Sequence, residues 1–143
     1  MSFATSPEEH AKLDKEVIAR RLAPSRDSFV LGAWTGEGEL IGIVGVYRQA
    51  PAKHAHKAYM WGVYVAPPHR GRGLGRRLVE AAIREAATLP DIEMLCTSAF
   101  QAAVAARALY PSCGFISWGV HPRSAKIGPE YVAEEHFLLE LGS

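Results

Sequence analysis

Apolar positions change their spacing along the chain, and each spacing predicts an element. Near the N-terminus, Ser-Pro-Glu-Glu at 6–9 followed by apolar residues at 13, 17 and 18 predicts a helix that ends near residue 22. Apolar runs at 29–34 and 40–48, separated by a Gly-containing turn, predict a β-hairpin. A run at 57–66, rich in aromatic and β-branched residues, predicts a largely buried strand that the prolines at 67 and 68 end.

Helical spacing follows these prolines. From Leu74, apolar or small residues recur every four positions, which predicts an amphipathic helix ending at 89–91. A strand is predicted at 92–97, and a Ser-Ala-Phe-Gln capping box at 98–101 predicts the start of an alanine-rich helix through Tyr110. Strands at 115–120 and 131–141 flank a predicted loop at 121–130. A hairpin followed by alternating strands and helices predicts an α/β chain with a mixed sheet flanked by helices.

Composition narrows the class of protein. The 143 residues carry 16 Lys+Arg and 15 Asp+Glu, and 48% are apolar, which is typical of one globular domain over 1–143. The formal net charge of +1 argues against a surface devoted to nucleic acid. Two cysteines, Cys96 and Cys113, are too few for a disulfide framework. Without an apolar run of about 20 residues or a secretory signal, we expect a cytoplasmic protein with no membrane partner.

The turn between the aromatic strand and the central helix carries the most specific chemistry. Residues 70–77 are Arg-Gly-Arg-Gly-Leu-Gly-Arg-Arg. The alternate glycines let the backbone approach a ligand, and the helix start supplies unpaired N–H groups and partial positive charge. This combination predicts an anion site, above all for phosphate; the alternative is a solvated basic turn. Neither a Gly-Lys-Ser/Thr loop nor a G-x-G-x-x-G spacing is present, which excludes two common nucleotide-binding loops.

Two motifs in this sequence resemble those of the GNAT superfamily of N-acetyltransferases. Residues 70–75 fit the Arg/Gln-x-x-Gly-x-Gly/Ala signature that follows the fourth strand of that family, and Leu-Tyr at 109–110 followed by Gly-Phe at 114–115 fits a second. The resemblance extends from about residue 29 onward. It implies acetyl-CoA as co-substrate, no metal, and a mostly antiparallel mixed sheet with a splayed central strand pair.

The resemblance also implies roles for particular residues. The turn amides hold the pyrophosphate, the strand before them pairs with the pantetheine arm, and a backbone N–H near Val65 polarises the thioester carbonyl. The implied cofactor-binding residues are Val63, Tyr64, Val65, Arg70, Gly71, Arg72, Gly73, Leu74, Gly75 and Arg76. Tyr110 is the implied general acid that protonates the departing CoA thiolate. Its ordinary alternative is a residue at the rim of the core with its hydroxyl in water.

Two features depart from the family pattern. Many members have Asn seven residues before the tyrosine, where this chain has Ala103; Ser98 or Gln101 are the neighbours able to replace its hydrogen bond. The family's first strand has no clear counterpart before Ser6 and is expected to be missing or abbreviated. We therefore predict an open sheet edge or a strand supplied by a partner, which makes a homodimer possible.

The general base has no diagnostic pattern. An alkyl amine with a pKa near ~10.4 is mostly protonated at neutral pH, so a base is needed. Tyr64, Glu134, Glu135 and His56 are candidates. The pair formed by His54 and His56 is interpreted as part of a surface loop rather than a metal site, because no third ligand is near it in sequence.

The predicted function is acetyl transfer from acetyl-CoA to a primary amine of an unidentified small-molecule or peptide acceptor, by direct attack. The alternative within the same fold is a non-catalytic acyl-CoA-binding or regulatory domain. A small nucleic-acid-binding module is disfavoured by the near-neutral charge. Loops at 49–56 and 121–130 are expected to shape the acceptor pocket, with Tyr59 and Trp61 lining it.

Overall fold

The fold is built on one seven-stranded sheet, seen in a computed structural model that describes residues 18–22, 25 and 27–142. The strands are β1 (Ile18–Leu22), β2 (Ser28–Trp34), β3 (Leu40–Arg48), β4 (Lys57–Val65), β5 (Met94–Phe100), β6 (Ile116–Ile127) and β7 (Glu130–Glu140). The helices are α1 (Leu74–Ala86) and α2 (Val104–Ser112). The strand order is β1-β2-β3-β4-β5-β7-β6, and only β4 and β5 are parallel. The predicted mixed, mostly antiparallel sheet flanked by helices is confirmed.

One face of the sheet carries the core. Alternate residues of neighbouring strands point into it, among them Val44, Met60, Leu95 and Phe137, each at most 1% exposed. The side chains of α1 that recur every three or four residues cover this face: Leu74, Leu78, Val79, Ala82 and Ala86. Full burial of each large apolar side chain contributes roughly 1.5–3 kcal/mol. No helix among the described residues covers the opposite face.

The parallel pair at the centre of the sheet is splayed. Strands β4 and β5 are paired only at three positions, Lys57↔Met94, Ala58↔Leu95 and Tyr59↔Cys96, and diverge beyond them. In the divergent part, β4 carries a bulge opposite β3, where the backbone of Gly62 has a φ of +66°. A bulge increases the local twist and turns the strand away from its former neighbour. The splay leaves the end of β4 with backbone groups that β5 does not pair.

The predicted N-terminal helix ends near residue 22, and the prediction is wrong for its last turn. Residues 18–22 form β1, which pairs antiparallel with β2 through Leu22↔Val30. Pairing with β2 decides that these residues form a strand, because five residues are too few to distinguish a helical period from a strand period. The rest of that predicted helix, including its cap at Ser6, lies outside the described residues. Among the described residues the sheet begins with this five-residue strand, and the segment before Ser6, where the family's first strand has no clear counterpart, lies outside them.

The end of β5 and the start of α2 also differ from the sequence prediction. Residues 98–100 complete β5 and pair with β7, so the predicted capping box at 98–101 does not start a helix. Helix α2 begins at Val104, and its N-cap residue Ala103 provides no side-chain hydrogen bond. Pairing with β7 outweighed the local capping signal, since the ladder supplies partners for the backbone groups that face β7.

The loop predicted at 121–130 is also wrong, because this segment is mostly strand. Strand β6 continues to Ile127 and forms a long hairpin with β7. The pairing shifts between His121 and Ala125, where Arg123 has a φ of +53°. That irregularity accommodates Pro122, which lacks the N–H for a regular ladder and is tolerated in an edge strand at a bulge.

Candidate active site

The glycine-arginine turn has a backbone that its glycines make possible. Gly71 and Gly73 have φ values of +77° and +80°, and a Cβ added to either would meet no atom within 4 Å. The side chain of Arg70 folds back on β4: its Nε donates a 2.7 Å hydrogen bond to the Val65 carbonyl, and its guanidinium carbon lies 5.4 Å from the centre of the Tyr64 ring. The turn is therefore open toward solvent and anchored to the end of β4.

The start of α1 opens onto the same turn. Gly73 is the N-cap residue in the left-handed conformation, and its carbonyl accepts the N–H of Arg77 at 3.1 Å. The N–H groups of Leu74, Gly75 and Arg76 precede that bond and point out of the helix end. The first turn contains no acidic residue, and no side chain caps the helix. These donors and the helix dipole together attract an anion.

A cleft of about 420 Å³ lies between this turn, the splayed end of β4 and α2. It is lined by Val63, Tyr64, Val65, His69, Arg70, Gly71, Gly73, Leu74, Gly75, Ala103, Ala105, Ala106, Leu109 and Tyr110. Eight of the ten residues predicted to bind the cofactor are in this lining, as is the predicted acid. The sequence interpretation of 57–66 as largely buried is wrong at Trp61 and Tyr64, which are 43% and 50% exposed.

Arg72 and Arg76 are the two predicted residues outside the lining. The guanidinium of Arg76 connects the two helices, because it donates a 2.7 Å hydrogen bond to the hydroxyl of Ser112. It also lies 3.5 Å from the carboxylate of Glu80. The side chain of Arg76 thus positions α2 beside α1 and narrows the cleft.

Tyr110 lies at the inner end of the cleft and is only 5% exposed. Its ring packs edge-on against Phe137, with centroids 5.5 Å apart, and tilted against Phe115. Burial raises the pKa of the phenol, while its hydrogen bond with the Thr97 hydroxyl acts in the opposite direction. Thr97 also donates to the Met60 carbonyl at the start of the splay. The phenol therefore stays protonated at neutral pH, at the point where the central strands separate.

A hydrogen-bonded chain crosses the splay on the opposite face. The Tyr59 hydroxyl lies 2.5 Å from the Ser98 hydroxyl, which donates to one carboxylate oxygen of Glu134 at 2.5 Å. Ser124 donates to the other oxygen at 2.7 Å. The hydrogen bonds from Ser98 and Ser124 lower the pKa of Glu134. The carboxylate is therefore ionised at neutral pH and linked to the splay through Ser98.

The other base candidates lie elsewhere. Glu135 is held toward α2: hydrogen bonds from Ser117 and Arg107 lower its pKa, and the Arg107 contact measures 2.9 Å. Tyr64 lines the cleft beside the glycine-arginine turn, where its ring lies under the guanidinium of Arg70. His56 precedes β4, at the end of the strand that remains paired with β5. Of the four candidates, the structure brings Glu134 to the splay from the side opposite Tyr110.

A second cleft, of about 360 Å³, lies on the face that no described helix covers. Its lining is Tyr47, Gln49, Lys57, Tyr59, Cys96, Thr97, Trp118, His136 and Phe137. Tyr59 is in this lining and Trp61 is not. Trp61 lies flat across Gly45, where any Cβ would collide with the indole. The loop at 49–56 contributes Gln49 alone, and nothing from 121–130 lines the cleft.

The sequence patterns did not indicate Thr97, Ser124 or the imidazoles beside Glu134, and they offered Ser98 as a partner for the cofactor, whereas its hydroxyl donates to Glu134. The available signal was the Glu134-x-His136 alternation in a strand, which places both side chains on one face. Because 121–130 was predicted to be a loop, the strand beside β7 that carries His121 and Ser124 was not expected.

No helix among the described residues is long and apolar enough to cross a bilayer.

Comparisons with known proteins agree with this geometry. Residues 2–115 match the family model described as acetyltransferase (GNAT) family. A GNAT-family acetyltransferase from Streptococcus pneumoniae is 24% identical with a TM-score of 0.76, over 96% of this chain and 78% of that one. A ribosomal-protein-alanine N-acetyltransferase from Brucella melitensis is 25% identical with a TM-score of 0.72, over 79% and 68%. A phosphinothricin acetyltransferase from Sinorhizobium meliloti, in complex with acetyl-CoA, is 17% identical with a TM-score of 0.74, over 80% and 62%.

Proposed function

The chain belongs to the acetyltransferase (GNAT) family, for which acetyl-CoA is the co-substrate, and we propose that it acetylates a primary amine by direct attack on the thioester. The observation that carries the proposal is the single cleft that unites the glycine-arginine turn, the end of β4 and Tyr110. A second cleft, next to the part of β4 that is still paired with β5, supplies a separate approach for the amine.

Cofactor binding follows from the backbone. The N–H groups of the turn and of the first residues of α1 face the diphosphate, and the helix dipole strengthens their attraction. The backbone of residues 63–65, which β5 leaves unpaired, offers amide partners to the pantetheine arm. A backbone N–H near Val65 polarises the thioester carbonyl and stabilises the negative charge that develops on its oxygen.

The role of Tyr110 follows from the proton that the leaving sulfur needs. As the amine nitrogen forms its bond to the carbonyl carbon, the carbon–sulfur bond breaks and the sulfur becomes a thiolate. The phenol gives its proton to that sulfur, and burial, which raises the pKa of Tyr110, keeps the phenol protonated until then. Acid catalysis of this kind contributes about 10²–10⁴-fold to the rate.

Glu134 is the base that the geometry favours. The incoming amine must lose a proton, and the ionised Glu134 carboxylate lies one serine away from the splay. The proton passes from the amine to the carboxylate through the Ser98 hydroxyl. It passes directly if the amine lies between the Ser98 hydroxyl and the carboxylate. Tyr59 contacts the same hydroxyl and also lines the second cleft, which we call the amine-side cleft. There it orients the acceptor.

The acceptor is a small molecule or a peptide with a free primary amine. Aromatic side chains stand on both sides of the amine-side cleft, Tyr47 and Tyr59 with ring centres 5.7 Å apart and Trp118 and His136 with ring centres 5.2 Å apart. Such walls favour an acceptor whose amine is carried by an apolar or planar body.

The test is a screen of amines with acetyl-CoA, in which released CoA thiol and acetylated product are both measured. We expect product from at least one amine class, and a large loss of turnover in Tyr110→Phe. Stabilisation by acetyl-CoA with no turnover on any amine would instead support the non-catalytic acyl-CoA-binding alternative. That alternative draws its support from Ala103, which lines the cleft without a hydrogen-bonding side chain.

A further inference from the structure

Three metal-ligating side chains converge beside the amine-side cleft. His121 and Glu134 are paired across β6 and β7, and His136 follows two residues later on the same face of β7. One ligand atom from each residue lies within 4.8 Å of the others. His121 is exposed and the other two are partly buried, so the group faces solvent and an ion can enter.

The spacing is close to that of a coordinated ion. Zinc bonds to nitrogen of ~2.0–2.1 Å put ligand atoms of a tetrahedral site roughly 3.4 Å apart. Nε2 of His136 is already 3.9 Å from a carboxylate oxygen of Glu134. Small side-chain rotations, chiefly of the exposed His121, are enough to close the remaining distance.

Neighbouring residues hold two of the three ligands in place. Ser98 and Ser124 each donate to a different oxygen of Glu134, which fixes the plane of the carboxylate. The Trp118 ring packs on the His136 imidazole with centroids 5.2 Å apart. Partners of this kind orient ligands and raise metal affinity. Among the described residues, no lysine or arginine forms an ion pair with Glu134 that would compete with a cation.

We propose that His121, Glu134 and His136 bind one divalent transition-metal ion, with Zn²⁺ as the best chemical match. Two imidazole nitrogens and one carboxylate oxygen suit zinc and disfavour Ca²⁺ and Mg²⁺, which select oxygen ligands. Three protein ligands leave a fourth position open toward solvent. The site is separate from the acetyl-CoA cleft and supplies no cofactor to the transfer.

The site has a consequence that rests on the proposed function. Glu134 is the proposed base, and an ion that takes its oxygen as ligand withdraws it from the amine. Bound Zn²⁺ therefore inhibits acetyl transfer and raises the apparent KM for the amine, while the KM for acetyl-CoA is unchanged.

The binding test uses tag-free full-length protein treated with a chelator. Zn²⁺ is titrated by calorimetry, and Co²⁺ by the visible absorption of a tetrahedral ion. We expect one ion per chain, with His121→Asn and His136→Gln each weakening binding by roughly tenfold or more. The double variant His54→Ala/His56→Ala, which removes the other histidine pair, is the matched control and should bind as the parent protein does. Melting curves check that each variant is folded.

Absence of saturable binding at micromolar ion overturns the metal site, as does binding that survives in His121→Asn and His136→Gln but is lost in the control. Inhibition is followed by mass spectrometry of the acetylated amine, because Zn²⁺ also binds the CoA thiol. If the protein binds Zn²⁺ but acetylates no amine, the proposed function fails and the metal site stands. If it acetylates an amine without binding Zn²⁺, the metal site fails alone.

Discussion

The hydroxyl of Thr97 donates a 2.9 Å hydrogen bond to the carbonyl of Met60, one residue beyond the last paired position of β4 and β5. The same hydroxyl lies beside the phenol of Tyr110 and lowers its pKa. One buried side chain therefore closes the splay at its inner end and places the proposed acid there. Thr97 lines the amine-side cleft, and Tyr110 lines the cleft beside the glycine-arginine turn.

Thr97→Val should lower the free energy of unfolding by roughly 1–3 kcal/mol, because it leaves the buried Met60 carbonyl without a donor. Thr97 is only 2% exposed, so water does not replace the lost bond. The substitution should also raise the pKa of Tyr110 further, since the hydrogen bond that lowers it is lost. Urea unfolding and spectroscopic titration of the phenol check both effects. Thr97→Ser keeps the hydroxyl and is the control; equal phenol pKa values in the two variants would contradict the assignment.

Tyr110→Phe should reduce kcat for acetyl transfer by about 10²–10⁴-fold and leave the KM for acetyl-CoA nearly unchanged. The ring packing on Phe115 and Phe137 is preserved, so the fold is retained. Steady-state kinetics with an amine found in the screen measure the effect. Tyr131→Phe, on an exposed ring of β7, is the matched control and should have parental kinetics. A Tyr110→Phe enzyme with undiminished kcat would remove the phenol from the mechanism.

Gly73→Val should abolish the rise in melting temperature that acetyl-CoA produces by mass action. A side chain at a φ of +80° is strained by roughly 1–2 kcal/mol and distorts the turn that is proposed to face the diphosphate. Gly38→Val is the matched control, because Gly38 has a φ of +89° and equally open surroundings in a hairpin turn. Both variants should lose similar stability without ligand, and only Gly38→Val should keep the shift. A full shift in Gly73→Val would mean that acetyl-CoA binds elsewhere.

Ala103→Asn should tighten acetyl-CoA binding by up to about tenfold, which corresponds to one added hydrogen bond of roughly 0.5–1.5 kcal/mol. The same side chain caps α2, whose N-cap residue now makes no side-chain hydrogen bond, and adds about 1 kcal/mol of stability. Ala103→Asp separates the two effects, because it caps the helix equally well but cannot donate to the cofactor. Calorimetric titration and urea unfolding measure them. Equal gains in acetyl-CoA affinity for both variants would show that stability alone is responsible.

The stability contributed by Glu134 should depend on pH with a definite sign. Hydrogen bonds from Ser98 and Ser124 hold its folded-state pKa below the ordinary value of 4.5. The resulting stabilisation is fully present above pH 4.5 and is lost as the pH falls through the folded-state pKa. Ser124→Ala raises that pKa, so its stability loss should be largest above pH 4.5 and shrink in more acidic solution. Urea unfolding across this range is the measurement, and Ser25→Ala, which has no carboxylate side-chain partner, should show no such trend.

Local chemistry explains why parts of the candidate site were predictable from sequence. The two glycines with positive φ and the helix start at Leu74 depend on residues next to one another in the chain. Positive φ favours glycine whatever the rest of the fold does, and an amphipathic period predicts a helix on its own. The turn, the central helix and the position of the Leu-Tyr pair were therefore within reach of pattern analysis.

The failed secondary-structure predictions all involve pairing with another strand. Residues 18–22 become a strand because β2 lies beside them, and residues 98–100 and 121–127 because β7 does. In each case the local signals, a short apolar stripe, a capping box and Pro122, favoured another structure. A ladder with a neighbouring strand outweighs such preferences, since β structure depends on its partners more than on intrinsic propensity.

The sequence by itself determined the glycine-arginine turn, the helix behind it and the family resemblance, because these depend on backbone conformations that adjacent residues set. Only the tertiary structure decided which carboxylate reaches the splay and which imidazoles surround it. Ser98 and Glu134 are 36 residues apart in the chain and meet through the pairing of β5 with β7. Convergence of this kind depends on strand register, which no local pattern in the chain specifies.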